Sequence, residues 1–394
     1  MNQTGTSSQR LQVVFAGGGT GGHIYPALAI AEQLQDKSQD VDVSFICSTR
    51  ALDARILTEE AVEYWALAAR PFSLRPLALA EFVRTWGRVV AHCRKHLRNV
   101  ARRGPTIVVG MGGFVSAPAA AAARKERLHS LLVNLDATPG RANRWVAKRS
   151  ARVFTAAEVE GQPNWTRVRP IVRWGAVADG DSAFCRREMG LDPAGPTLLV
   201  TGASQGARSI NHLMMALLER HTQLLRGWQV IHQCGPVATA KDDLNEQAIV
   251  DGYARAGVRA IVKPLFREMG RVWGSADLAI SRCGAGSVAE AWANRVPSVF
   301  LPYPYHKDQH QRKNALPLER IGGAIIATDH VEVGKNMEGP GAELVRLLSD
   351  PGAVSAMRLK LRELGPADGA SAVADEILAA GVHLAGGMGR ARYT

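Results

Sequence analysis

Gly17-Gly18-Gly19-Thr20-Gly21-Gly22-His23 lies between an apolar run, Leu11–Ala16, and a helical pattern from Pro26 to Leu34. That order predicts a strand, a glycine-rich turn and a helix, with backbone N–H groups exposed at the positive end of the helix dipole. Such a turn suits phosphate or a developing anion, and Thr20, Gly21 and Gly22 are its candidate substrate contacts. The ordinary alternative is a tight turn that packs helix on strand. Gly17, Gly19 and Gly22 fit G-x-G-x-x-G, but a dinucleotide site also needs an acid closing the second strand. Here that strand, Val43–Cys47, runs into Ser48-Thr49-Arg50, which argues against a nicotinamide enzyme. His23, with an intrinsic pKa of about 6.5, is a candidate general base, a structural group or a phosphate-facing one.

The second half repeats this chemistry. Gly202-Ala203-Ser204-Gln205-Gly206 offers a hydroxyl beside helix-terminal N–H groups and can hold a pyrophosphate oxygen without a metal; Ser204 as an N-cap is the plainer reading. In Ser281-Arg282-Cys283-Gly284-Ala285-Gly286-Ser287-Val288-Ala289-Glu290, Arg282 leaves a strand where a guanidinium can neutralise phosphate. Glu290, about two turns on, can accept from both hydroxyls of a ribose. Ser287-x-x-Glu290 equally has the spacing of a capping box, and spacing leaves the two readings level. His306 to Ala315 supplies polar side chains at a helix start, suited either to a sugar or to solvent. Asp40-Val41-Asp42 and Asp179-Gly180-Asp181 are D-x-D strings, but neither ends a strand, so no metal and no cofactor is assigned.

Short apolar strands alternating with helical segments must position these turns, the mark of parallel sheets wrapped by helices. Expected strands are Leu11–Ala16, Val43–Cys47, Thr106–Val109, Leu131–Asn134 and Ala151–Phe154, then Thr197–Thr201, Gln229–Gln233, Ala260–Val262, Leu278–Ser281 and Ser298–Leu301. The fold class is therefore α/β, two Rossmann-like parallel-sheet domains facing a cleft: residues 1–174 and 175–394, with the C-terminal helices expected to pack back toward the first domain. A hinge is expected near Pro170–Ala183, with closure over the cleft.

The chain has 394 residues, long enough for two cores, and no uninterrupted apolar stretch of membrane-span length. With no secretory leader pattern at its start, a cytoplasmic location is expected. Five cysteines without a C-x-x-C pair indicate neither a disulfide framework nor a zinc site. The net charge of +12 is uneven: residues 1–175 hold 24 Lys and Arg against 13 Asp and Glu, a surplus of +11. No nucleic-acid-binding signature accompanies it, so an anionic membrane surface is the expected partner. Phe82, Trp86, Val89, Val90, Cys93 and Leu97 recur at helical spacing among Arg84, Arg88, Arg94, Lys95, Arg98, Arg102 and Arg103, as in an interfacial helix or an ordinary surface helix with a basic face.

With these residues in view, the chain resembles the MurG family of peptidoglycan lipid-linked N-acetylglucosaminyltransferases. Four blocks carry the likeness: GGGTGGHIYPALAIAEQL at 17–34, GMGGFVSAP at 110–118, TGASQGARSIN at 201–211, and 275–324. The resemblance implies the GT-B architecture, the acceptor and membrane side at the amino end, and the sugar nucleotide on the carboxyl domain. It implies inverting transfer of GlcNAc from UDP-GlcNAc to the MurNAc 4-hydroxyl of lipid I, giving lipid II without a catalytic metal, at the cytoplasmic face of the membrane and beside other cell-wall synthesis machinery. By the same resemblance Ser204, Gln205 and Gly206 hold pyrophosphate and Arg282 the phosphate region. Glu290 binds ribose, Phe266 meets uracil through its backbone, and His310 and Gln311, with Asn314 beside them, read GlcNAc. Departures fall on the acceptor side. Val133-Asn134-Leu135-Asp136 replaces the usual His-Glu-Gln-Asn, Arg169-Pro170-Ile171-Val172-Arg173 replaces Gly-Asn-Pro-Val-Arg, and Phe114 replaces a tyrosine. Arg173 remains a candidate substrate contact, and Asp136 rivals His23 as base. A diacylglycerol-type glycosyltransferase and a non-catalytic UDP-sugar-binding protein are the alternative readings.

Overall fold

The computed structural model describes residues 9–19, 21–73, 75–236, 244–306 and 308–391, so Thr20 lies outside the described residues. The chain divides into two compact units, one of residues 1–135, 139–173 and 368–394, the other of residues 136–138 and 174–367.

In the first unit β1 (Leu11–Gly17), β2 (Val41–Ser48), β3 (Glu63–Leu67), β4 (Thr106–Gly112), β5 (His129–Asn134), β6 (Arg152–Thr155) and β7 (Thr166–Arg167) form one parallel sheet, ordered β3-β2-β1-β4-β5-β6-β7. In the second, β8 (Thr197–Thr201), β9 (Gln229–Gln233), β10 (Ala260–Lys263), β11 (Leu278–Ser281), β12 (Ser298–Phe300) and β13 (Ala324–Ile326) are ordered β10-β9-β8-β11-β12-β13, again all parallel. Counted within each unit, both follow 3-2-1-4-5-6, the first adding a seventh strand at its edge; this is the doubly wound order, which reverses direction between its first and fourth strands. The glycine turns after β1 and β4, and those after β8 and β11, sit at these switch points. Every residue of β1, β4 and β8 is buried, because helices cover both faces of each sheet; such strands read as apolar runs rather than as alternation.

The sequence reading omits β3, β7 and β13. Of β3 only Leu67 is buried, β7 has two residues and β13 three, so their pairing comes from the neighbouring strand rather than from a pattern of their own. The helix Gly369–Ala391 belongs to the first unit, where Asp375 pairs with Lys37 at 2.9 Å and Glu376 with Arg152.

Candidate functional site

The loop after β1 is braced from within. Asp53, fully buried near the start of the helix Ala51–Glu59, accepts from Gly19 N at 2.7 Å, Ser48 N at 3.1 Å and Ser48 Oγ at 2.6 Å, all through Oδ2. Arg50 donates to Gly19 O and lies over the Phe114 ring. The acid missing from the end of β2 is therefore supplied five residues later, and it holds the turn itself. Sequence reasoning passed over Asp53 because an acid in a first helical turn is generic. His23, the third residue of the helix Gly21–Lys37, packs its ring over the turn that ends β4. Gly112 there has φ +106°, and a Cβ on it would fall 2.9 Å from His23 Cδ2 and 3.2 Å from Asn143 Oδ1, so only glycine admits the ring. Asn143 Oδ1 is buried without a partner, while its Nδ2 donates to Asn134, which in turn donates to Thr155. Asn134, from the segment that departs from the family pattern, is thus a buried brace between β5 and β6.

Two first-half candidates have other tasks. Arg173 makes a two-pronged pair with Glu60 at 2.6 and 2.7 Å and donates to Glu32 at 2.7 Å, so its guanidinium is committed inside the first unit rather than presented to a ligand. Asp136 lies with the second unit, where Asn314 Nδ2 donates to Asp136 Oδ1 and Ala137 N donates to Asn314 Oδ1, each at 2.9 Å. Asn314 is buried in this pairing, away from any role as a free amide reader. The rival bases His23 and Asp136 stand on different units.

In the second unit Ala203–Gln205 forms a single tight turn and the helix Arg208–Arg220 begins after Ala207, with no side-chain cap. Ser204 is therefore not an N-cap, and its hydroxyl is left half-exposed in the turn. Gly206, at φ +70°, meets the next loop backbone to backbone: a Cβ on it would lie 2.8 Å from both Cys234 O and Gly235 Cα. That contact is held from below, because His232 bonds Asn211 and Tyr253 at 3.1 Å and Asn211 donates to Cys234 O. Burial keeps His232 neutral, its pKa pushed down to about 3.

The helix Ala285–Asn294 takes Gly284 as its N-cap, which puts Ser287 at the third helical position. The capping box is thereby excluded, since its hydroxyl must sit at the N-cap. Glu290 instead accepts from Trp273 Nε1 at 2.8 Å, and burial pushes its carboxyl up to about 7. Arg282 is not a free cation. It pairs with the buried Asp329 at 2.7 Å and donates to Leu301 O, Pro302 O and Ser209 Oγ. Asp329 also accepts from Ser209, Asn336 and the Val331 N–H. Sequence reasoning missed Asp329 together with β13, the strand that delivers it. The Phe266 N–H donates to Gln233 Oε1, so it is not available to a base. His310 Nδ1 contacts Asp308 at 2.8 Å, and Gln311 Oε1 accepts from Tyr303 N, which sets both side chains at the start of the helix His310–Arg320.

Helices that start after β8, β11 and β12 lack side-chain caps, whereas Asn245 caps the helix after β9, and Asp181 and Asp350 cap helices elsewhere in this unit. Uncapped N–H groups around a glycine turn form an anion cradle. In the D-x-D strings Asp42 pairs with Arg10, Asp179 with Arg271, and Asp181 is a cap. Among the described residues no group of three or more His, Cys, Asp or Glu is placed to hold a metal.

Two doubly wound units give the protein the GT-B architecture. Residues 13–155 match the glycosyltransferase family 28 N-terminal domain and residues 197–345 its C-terminal domain. The UDP-N-acetylglucosamine–N-acetylmuramyl-(pentapeptide) pyrophosphoryl-undecaprenol N-acetylglucosamine transferase of Clavibacter michiganensis subsp. michiganensis is 34% identical over 372 residues, covering 92% of this chain and 94% of that one. The protein of that name from Listeria monocytogenes serotype 4a is 28% identical, covering 93% and 99%. Among solved structures, Acinetobacter baumannii MurG superimposes with a TM-score of 0.68 at 24% identity over 94% of this chain and 99% of that one. A putative UDP-N-acetylglucosamine 2-epimerase from Listeria monocytogenes reaches 0.61 at 12% identity over 95% and 96%, so the fold by itself does not decide the reaction. The chain belongs to the MurG family of glycosyltransferase family 28.

Proposed function

We propose that this protein transfers GlcNAc from UDP-GlcNAc to the MurNAc 4-hydroxyl of undecaprenyl-pyrophosphoryl-MurNAc-pentapeptide, the step that makes lipid II for the cell wall. The observation that carries the reading is the 34% identity across both units to a transferase of that name. The acceptor oxygen attacks the anomeric carbon as the UDP pyrophosphate leaves, inverting the centre. Leaving-group charge falls on the uncapped start of the helix Ala285–Asn294, on the Ser204 hydroxyl and on the Gly202–Gly206 turn, apart from its Ala203 and Gly206 N–H groups, which bond Thr201 Oγ1 and Ala203 O. Arg282 adds less than a lone cation would, because Asp329 balances it. His23, on the first unit, is the base we favour. Incubation with UDP-GlcNAc and a soluble lipid I analogue tests the whole reading: disaccharide product supports it, and UDP binding with no turnover, or transfer only to diacylglycerol, defeats it.

No described helix is long and apolar enough to cross a membrane. We place the first unit against an anionic membrane surface. The helix Pro76–Ala101 sends Val90, Cys93 and Leu97 into the core, and Glu126 takes up Arg94 and Arg98, so that part of the expected stripe is ordinary packing. Its first turns differ. Leu77 is 88% and Val83 65% exposed, with Phe72 nearby in sequence and Arg84 and Arg88 exposed beside them. Each cation near such a surface contributes about 1 kcal/mol. Reversing Arg84 and Arg88 to glutamate should release the protein from anionic vesicles at low salt and leave UDP affinity intact; undiminished vesicle binding would move the membrane contact elsewhere.

A further inference from the structure

Trp273 is fully buried on the helix Met269–Ser275, and it spends its one polar group on Glu290 of the helix Ala285–Asn294. An indole N–H only donates, and its bond to a carboxylate strengthens when that carboxylate is ionised. We propose that Trp273 is a positioning residue of the donor site: it takes Glu290 Oε2, fixes the carboxylate's direction and favours its charged form, leaving Oε1 to the ribose hydroxyls of a uridine nucleotide. The inference rests on the reading of Glu290 as the ribose acceptor.

Burial holds the Glu290 carboxyl at about 7, and the Trp273 bond opposes that rise. Charged groups on the packed elements do not set it. Arg271, on the same helix as Trp273, is engaged by Asp179 and Glu188; His310, Arg312 and Lys313 lie on the neighbouring helix; among the described residues, burial and Trp273 are the two influences on Glu290. Asn294 Nδ2 bonds Glu290's carbonyl and so fixes its main chain but not its carboxylate. Without Trp273's N–H the carboxyl would titrate higher, and more of it would be protonated at neutral pH, where a protonated oxygen no longer accepts.

The test is UDP binding from about pH 5.5 to about pH 8.5, for wild type, Trp273→Phe and Glu290→Gln, with 2′,3′-dideoxy-UDP as the ligand lacking both hydroxyls. Wild-type affinity for UDP should fall as pH drops through about 7. Trp273→Phe keeps an aromatic ring but not the donor. Its limb should move to higher pH, with about tenfold weaker UDP binding at neutrality and little change for the dideoxy ligand. Wild-type affinity and an unmoved limb in Trp273→Phe would overturn the proposal. If that variant fails to fold, the Trp273 indole N–H resonance of the wild-type protein decides: it should shift with pH through about 7 and on UDP addition, and stay flat with pH in Glu290→Gln, whereas indifference to both defeats the proposal. UDP loss in Glu290→Gln without any in Trp273→Phe sinks the Trp273 role alone. Equal binding of UDP and the dideoxy ligand by wild type, unaltered in Glu290→Gln, sinks the ribose reading and this inference with it.

Discussion

The two glycine turns that follow β1 and β8 share a strand-turn-helix pattern, and they use it in opposite ways. After β1, the turn's Gly19 N–H is filled by the protein's own carboxylate, Asp53, which also holds the end of β2 through Ser48. After β8, the turn is held by backbone contact between Gly206 and Gly235 and by the buried His232–Asn211 pair, and its helix starts without a cap. The Gly19 N–H, already facing a buried anion, has little to give a phosphate, whereas no buried carboxylate faces the described turn after β8, where Ala203 N and Gly206 N bond Thr201 Oγ1 and Ala203 O. The same local sequence pattern thus yields a turn braced by a buried carboxylate in one unit and a turn braced by backbone contact in the other.

The sharpest division of labour comes from His23. His23→Ala should lower turnover about 10²–10⁴-fold, the usual worth of a general base, while calorimetry finds UDP affinity unchanged. Retained turnover would leave Asp136 as the base and move the chemistry to the second unit. Next in size is Arg282→Ala, which strands Asp329 as a buried unpaired carboxylate and should cost about 3–5 kcal/mol in denaturant unfolding. Arg282→Met combined with Asp329→Asn should recover much of that; a full loss of UDP binding in the stable double variant would show that the cradle needs the cation after all.

Asp53→Ala removes the acceptor shared by Gly19 and Ser48 and should cost about 2–3 kcal/mol of stability, with UDP affinity untouched. Were UDP binding to fall with it, the contrast between the turns would fail. The smallest effect expected is none: excess EDTA should leave the rate of UDP release unchanged, because Asp42 and Asp179 are held in ion pairs and Asp181 caps a helix. Activity abolished by chelation and restored by magnesium would mean that the cradle is completed by a metal.

How far residues betray their roles varied with how local the cause was. Buried parallel strands such as β1, β4 and β8 were legible because apolar runs between glycine turns are a local pattern, whereas β3 and β13 were not, being short and paired by their neighbours. Ser204 and Glu290 were named from the sequence with two meanings each. The start points of the helices at 208 and 285 removed the capping meanings, which spacing alone could not do.

The sequence by itself determined the doubly wound class, the glycine turns at both switch points and the family, because these rest on spacing along the chain. Tertiary structure decided which charges are spent inside the protein. Arg282 is answered by Asp329, 47 positions on, Arg173 by Glu60 and Glu32, and Asp53 by Gly19 and Ser48. A charged side chain's role depends on whether burial forces it to find a partner, and burial belongs to the folded whole. That is why the sequence could list the polar groups of the site, and only the fold could divide those that brace it from those left for a ligand.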